Sequence, residues 1–202
     1  MDVKDTYKTI SKPSEEVLFK DKNSKFFGYA FPVKTEGDVK LHIETLKKQH
    51  YAARHWCYAY QIGTEIIKYR ANDDGEPSNS AGMPIYGQLH SFEVKNVLVV
   101  VVRYFGGTKL GVGGLINAYR TAAQMALENS NCIEKTIDAS FSLRFDYKYM
   151  SKIMRILKSL DANIETQTLE LDCFFVISVR KGNAENLFTT FENFHNIEIK
   201  SL

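Results

Sequence analysis

Three short stretches of this sequence hold the residue types that do chemistry. The first runs Gly106-Gly107-Thr108-Lys109-Leu110-Gly111-Val112-Gly113-Gly114 and gathers five of the chain's twelve glycines into nine residues. Glycines reach positive φ and leave consecutive backbone N–H groups open, and a helix beginning at such a loop adds free amides and a partial positive charge. That is the chemistry of anion binding. Arg103 before the loop, Lys109 within it and Arg120 about two turns into the next helix are cations able to reach a phosphate. Two nucleotide-loop patterns are absent. Val112 follows Gly111 where a P-loop needs lysine, and Ile116 stands where a dinucleotide fingerprint needs its third glycine. Gly106, Gly107, Gly111, Gly113 and Gly114 therefore serve tight turning and close packing alone, or that role together with anion binding.

The second stretch, Asn72 to Gly82, places Asp73, Asp74 and Glu76 within four residues. Paired carboxylates can hold Mg²⁺ beside a phosphate, or split their pKa values and act as acid and base. Asp-Gly, Pro, Ser and Asn in succession also make a turn-rich loop whose acids cap backbone N–H groups, and this structural role is the stronger reading. The third stretch is Arg54 to Tyr60. Strand alternation puts Ala53, His55, Cys57 and Ala59 on one face and Arg54, Trp56, Tyr58 and Tyr60 on the other. A Cys–His pair can be a nucleophile and its base, but no third orienting group follows from the sequence, so a buried, hydrogen-bonded His55 is expected. The opposite face interleaves an arginine with three aromatics, the pattern of a base-stacking platform and also of an ordinary core. His42, His50, His90 and His195 fall in no constellation. If the chain is an enzyme, His55, Asp73, Asp74 and Glu76 are its candidate groups. The sequence implies no metal and no cofactor.

The elements that must hold these stretches follow from hydrophobic period. Phe26 to Val33 reads as a strand, Gly37 to His50 as a helix, and Arg54 to Ile62 with Glu65 to Ala71 as a hairpin around Gly63-Thr64. A short helix is expected over Pro84 to His90, the central strand over Val97 to Phe105, the glycine loop over Gly106 to Gly114, and a helix over Leu115 to Glu128. From Asp138 the period switches repeatedly between 2 and 3.6. The resulting order is βαββαβ, with Asn183 as N-cap of the second helix, which is the pattern of a ferredoxin-like unit. Two α+β domains are expected, residues 1–134 and 138–202, joined within the polar stretch Asn129 to Asp138.

Composition bounds the rest. With 202 residues, 44% apolar and 25% charged, the chain can bury cores of its own without a metal or disulfide staple. The formal charge of +2 excludes a strongly basic nucleic-acid protein; it divides as +3 over residues 1–137 and −1 over 138–202. The longest apolar run, Val97 to Val102, is far short of a membrane span. The acidic start of the chain is unlike a signal peptide, and three widely spaced cysteines suit free thiols, so a cytoplasmic location is expected. Nothing in the residues specifies an oligomeric state.

The stretches Asp73-Asp74-Gly75-Glu76-Pro77-Ser78, Ser80-Ala81-Gly82-x-Pro84-Ile85, and Val99 through Arg103-Tyr104-Phe105-Gly106-Gly107 to Leu115, with Ala118-Tyr119, resemble the YigZ/IMPACT family. Ser24-Lys25-Phe26 and Ala53-Arg54-His55-x-Cys57-x-Ala59-Tyr60 extend the match, and residues 138–202 are similar to the second domain of bacterial members. Ser80 stands where threonine is usual and Met83 where lysine is common. The resemblance implies an N-terminal ribosomal protein S-five domain-two-like fold and a C-terminal domain like the late domains of elongation factor G. It implies regulation of translation through RNA, the ribosome or a translation-associated protein, and it brings no catalytic residues. Arg103, Lys109, Arg120 and the loop amides are the expected phosphate contacts. An enzyme acting on a phosphate-containing small molecule through the acidic and glycine loops is the alternative.

Overall fold

In the computed structural model, which describes residues 5–202, the chain divides into two compact units: Tyr7–Lys135, and a second made of Asp5, Thr6 and residues 136–202. Both mix sheet and helix, the α+β class expected. The first unit runs β1 (Thr6–Ile10), β2 (Val17–Asp21), β3 (Ser24–Pro32), α1 (Glu36–Gln49), β4 (His55–Ile62), β5 (Lys68–Asn72), α2 (Gly82–Ser91), β6 (Val97–Tyr104), α3 (Gly111–Glu128) and β7 (Cys132–Thr136). Five strands form one antiparallel sheet in the order β2-β3-β6-β4-β5, and β1 pairs with β7 in a two-stranded ribbon.

Strand β6 shows why the apolar run 97–102 lacks alternation. Val97, Val99 and Val101 pack with α2 and α3 on one face, while Leu98, Val100 and Val102 pack beneath α1 on the other. A central strand covered on both sides has no solvent face for polar residues. Helix α1 begins with a reciprocal capping box, Thr35 Oγ1 accepting from the Asp38 amide at 3.1 Å and Asp38 accepting from the Thr35 amide at 2.9 Å. Backbone N–H donors of Lys34 and Thr35 hold the Asp38 carboxyl below its usual pKa. Helix α3 presents Leu115, Ala118, Tyr119, Ala122, Ala123, Ala126 and Leu127 as one buried stripe.

The helix after the glycine loop starts at Gly111 rather than Leu115. Glycine's poor helix propensity points to loop, but the packed stripe beginning at Leu115 carries the preceding turn into the helix; propensity is a weak prior against tertiary packing. Strand β7 lies within the stretch read as a connector, because side chains exposed almost throughout carry no alternation to detect.

The second unit runs β8 (Asp138–Asp146), α4 (Met150–Ser159), β9 (Asn163–Thr168), β10 (Asp172–Arg180), α5 (Ala184–Glu192) and β11 (Ile197–Ser201). Its sheet order, β11-β8-β10-β9 with antiparallel neighbours, is that of the ferredoxin-like βαββαβ unit. Phe141, Leu143, Phe145, Phe175 and Ile177 meet Ile153, Leu157, Leu187 and Phe191 in its core. Asn183 occupies the N-cap of α5, but its side chain makes no cap hydrogen bond. Among the described residues no helix is long and apolar enough to cross a membrane.

Candidate functional site

The site forms where β4, β6, the acidic loop and the start of α3 converge. Register places His55 on β4 opposite Arg103 on β6, and Phe26 on β3 opposite Arg103 from the other side. The acidic loop between β5 and α2 is pinned by its own carboxylates. Asp73 accepts from the backbone N–H groups of Ala81 at 2.9 Å, Gly82 at 2.8 Å and Asn79 at 2.9 Å. Asp74 accepts from the Trp56 amide at 2.7 Å, and its carbonyl takes the His55 Nδ1 hydrogen bond at 2.9 Å. These are the turn and capping roles expected of Asp and Asn-rich loops.

Glu76 differs from its neighbours. Its Oε1 accepts from Arg103 Nη1 at 2.6 Å and from the Tyr119 hydroxyl at 2.7 Å. Both ion-pair side chains are deeply buried, 6% exposed for Arg103 and 4% for Glu76. The Arg103 guanidinium lies 5.5 Å from the Phe26 ring centroid and 5.6 Å from that of Phe105. Its Nε is buried and has no hydrogen-bond partner among the described residues. Arg103 is thus not the free surface cation its position suggests; its charge is held by Glu76. Cys57 donates to the Asp73 carbonyl at 2.9 Å and lies 3.3 Å from the Tyr119 hydroxyl. Burial pushes both the Cys57 thiol and the Tyr119 hydroxyl well above their ordinary pKa values. A nucleophilic thiolate at Cys57 has no support in this environment, and His55 is turned to the Asp74 carbonyl.

The acidic and glycine loops share one cavity of about 350 Å³. Glu76 and Arg103 line it, Pro77, Phe105, Leu110, Val112 and Leu115 supply apolar walls, and Lys109 and Gly111 complete the lining. The five glycines have different roles. The Gly106 amide donates to Ser24 Oγ at 3.1 Å, and a Cβ there would stand 2.1 Å from the Asn23 backbone carbon, so Gly106 is required by packing. Gly107 and Gly111 have φ of +87° and +73°. At Gly113 a Cβ would meet no described atom within 4 Å, and at Gly114 it would press on Leu110 at 3.1 Å. The N-terminus of α3 has no side-chain cap among the described residues and no acid in its first turn, so its leading N–H groups keep their positive potential. Lys109 and Arg120 are exposed, with Arg120 on α3 outside the cavity lining.

The Arg54, Trp56, Tyr58 and Tyr60 face is partly covered by α1, with Trp56 and Tyr58 half-buried and Tyr58 and Tyr60 lining a cavity of about 580 Å³. Trp56, Tyr58 and Tyr60 pack in the layer beneath α1, Tyr60 donating to Glu36 at 2.9 Å, and only Arg54 is exposed. Two arrangements escape sequence reasoning. Tyr119 joins Glu76 and Cys57, and the sole sequence signal is a tyrosine in an alanine-rich helical stripe. His50 sits between Tyr29, 2.5 Å from Nε2, and Tyr104, 3.0 Å from Nδ1, with the Tyr29 hydroxyl donating to Glu16.

The Impact N-terminal domain family matches residues 22–127, a span that contains the whole of this network and cavity. The IMPACT family member YvyE of Bacillus subtilis is 37% identical over 153 residues, 76% of this chain and 70% of that protein. An IMPACT family member of Haemophilus influenzae is 29% identical over 180 residues, 86% of each chain. Among solved structures, the crystal structure of a hypothetical protein superposes with a TM-score of 0.76 over 99% of this chain and 98% of that one; at 24% identity this speaks to fold alone.

Proposed function

The chain belongs to the IMPACT family, and from that premise we propose that it is a cytoplasmic accessory factor of translation that works by binding. Its partner is RNA, the ribosome or a translation-associated protein, engaged through an anionic group at the cavity before α3. The observation that carries this reading is a cavity in which an uncapped helix N-terminus meets an exposed lysine. The alternative, an enzyme acting on a phosphate-containing small molecule, draws support from the same cavity because the acidic and glycine loops both reach it. Occupied carboxylates weigh against it: Asp73 and Asp74 cap backbone N–H groups, and Glu76 is taken by Arg103 and Tyr119. None stands ready to take a substrate proton.

Ribosome co-sedimentation from lysate, with and without nuclease, tests the reading. Lys109→Glu and Arg120→Glu are the variants of choice, because Arg103→Glu would break a buried ion pair and confuse binding with folding. Weaker sedimentation by Lys109→Glu is expected. Unchanged sedimentation of both variants at low salt removes the surface from consideration. If RNA is the ligand, log K falls with log[salt] by about 0.9 for each phosphate neutralised, giving a shallow total slope.

A further inference from the structure

We propose that the second unit has a binding edge of its own: strand β9 takes up an extended peptide as a further strand of the sheet, with one apolar and one acidic side chain of that peptide held against α4. The surface lies wholly within residues 138–202 and is independent of the cavity before α3.

The two larger sheets end in the edge strands β2, β5, β9 and β11. An edge presents a row of unpaired backbone N–H and C=O groups, and charged side chains, lysine above all, discourage other chains from pairing with it. Strand β2 carries Lys20, β5 carries Lys68 and Arg70, and β11 carries Lys200. Strand β9, Asn-Ile-Glu-Thr-Gln-Thr, has no lysine, arginine or proline. Its single acid is engaged, Glu165 accepting from Ser178 Oγ at 2.6 Å. The strand pairs with β10 alone, and among the described residues its backbone makes no backbone hydrogen bond outside that ladder. A bulge leaves Glu165 without a register partner, while Thr166, Gln167 and Thr168 keep regular register with β10. The open edge therefore includes a regular stretch on which another strand can pair.

The chemistry beside that edge names the partner. Strand β9 and helix α4 flank a cavity of about 550 Å³. Met154, Leu157, Ala162 and Ile164 give it apolar walls, with Leu157 buried and Met154 43% exposed. Arg155 and Lys158 line it too; both are exposed and neither makes an ion pair among the described residues. Helix α4 has no acid in its ten residues to pair with them, and Asp161 is the one acid in the lining. The cavity thus carries an excess charge of +1 in a unit whose total is −1. A strand added to β9 turns every second side chain toward the helix layer, and two such positions stand about 6.6 Å apart. An apolar side chain at one fills the cavity, and a carboxylate at the other meets Arg155 or Lys158. Main-chain pairing combined with pockets for alternate side chains is a recurring mode of peptide recognition at sheet edges. An RNA strand uses the two cations but leaves the apolar walls and the open backbone row without partners. A membrane surface is not served either, because the apolar residues Ile153 and Leu157 of α4 are already buried in the core.

The test is a ¹⁵N–¹H correlation titration of the full chain with peptides of the form acetyl-Thr-X-Thr-Z-Thr-Val-Thr-amide. X is Val, Leu, Ile, Met or Phe, Z is Asp or Glu, and both orders of X and Z are used. At least one member is expected to shift the amides of Arg155, Lys158, Thr166, Gln167 and Thr168 saturably, with Kd of about 1 mM or tighter. Replacing its acid by lysine, or making Arg155→Glu with Lys158→Glu in the protein, is expected to weaken binding about tenfold or more. Replacing its apolar residue by serine is expected to cost about tenfold. Both protein substitutions lie at exposed positions, so the core amides stay in place and binding is read apart from folding. Methylating alternate peptide nitrogens tests the mode: an added strand turns only one set of its N–H groups toward β9, so one methylated form binds and the other does not. Equal affinity of the two methylated forms overturns strand addition, and the absence of shifts with every peptide overturns the whole proposal. Tighter binding of oligouridylate at Arg155 and Lys158 overturns it in favour of RNA. Concentration-dependent shifts at β9 without peptide overturn it in favour of a second copy of the chain.

Discussion

The buried pair of Arg103 and Glu76 makes the most demanding test of how this fold is held together. At 2.6 Å, with about 6% and 4% of the two side chains exposed, the charges interact in a poorly hydrated setting. Coulomb's law at an effective dielectric of about 20 puts the gross attraction near 6 kcal/mol. Desolvation of both ions cancels much of that in the intact pair, but removing one partner leaves the other buried and uncompensated, at a cost of about 3–5 kcal/mol. Arg103→Met strands the Glu76 carboxylate with only the Tyr119 hydroxyl, and Glu76→Leu strands the guanidinium between Phe26 and Phe105. Urea unfolding followed by Trp56 fluorescence reads this unit alone, because Trp56 is the chain's single tryptophan and lies on β4. With a urea slope of about 2 kcal/mol per molar, each single variant is expected to lower the midpoint by roughly 1.5–2.5 M. The double variant, Arg103→Met with Glu76→Leu, removes both charges together and is expected to be less destabilised than the sum of the singles by at least about 2 kcal/mol. Additivity within about 0.5 kcal/mol, or a single variant within about 1 kcal/mol of the native chain, would show that the pair is solvated and that the reasoning about the site is wrong.

Three further outcomes follow from the same structure. Gly106→Ala puts a Cβ 2.1 Å from the Asn23 backbone and is expected to destabilise by about 2–3 kcal/mol, whereas Gly113→Ala is expected to stabilise by about 0.5–1 kcal/mol; thermal melts that rank them otherwise contradict the assigned roles. His50, 7% exposed between Tyr29 and Tyr104, has its pKa lowered by burial, against a partial upward pull from Glu16. The unfolded chain takes up this proton near pH 6.5 and the folded chain only below it, so stability is complete above 6.5 and falls as pH drops from there toward the folded pKa. His50→Gln is expected to flatten that decline in urea midpoints between pH 7.5 and 5.5, and an unchanged slope assigns it elsewhere. Of the three cysteines, Cys132 is exposed while Cys57 and Cys173 are 0% exposed, so a thiol reagent is expected to titrate one group in the native protein and three in denaturant. A second fast native thiol would place an opening at β4 or β10.

Much of the architecture was legible because burial leaves a periodic imprint on the chain. The unalternating run over 97–102 announced a strand covered on both faces, the switches of period after Asp138 announced βαββαβ, and the glycine and acidic stretches marked where β6, α2 and α3 would be linked. Strands β1, β2 and β7 escaped; in the β1–β7 ribbon, pairing fixes backbone hydrogen bonds while leaving β7's side chains without a pattern of burial. Glycine propensity likewise misplaced the start of α3. The residue types at the site were all visible in advance, but their roles were not. Arg103 meets Glu76 across 27 residues and Tyr119 meets Glu76 across 43, so whether each charge is free or paired depends on strand register and helix docking. The same distant packing brought α1 over Trp56, Tyr58 and Tyr60 and partly covered what alternation alone left open as a stacking face. Sequence by itself determined most of the helices and sheet strands and which side chains could carry charge, because those depend on neighbours along the chain. Tertiary structure alone decided which charges are neutralised and which amides remain unsatisfied, because electrostatic free energy is set by the groups that burial brings within a few ångströms, wherever they lie in sequence.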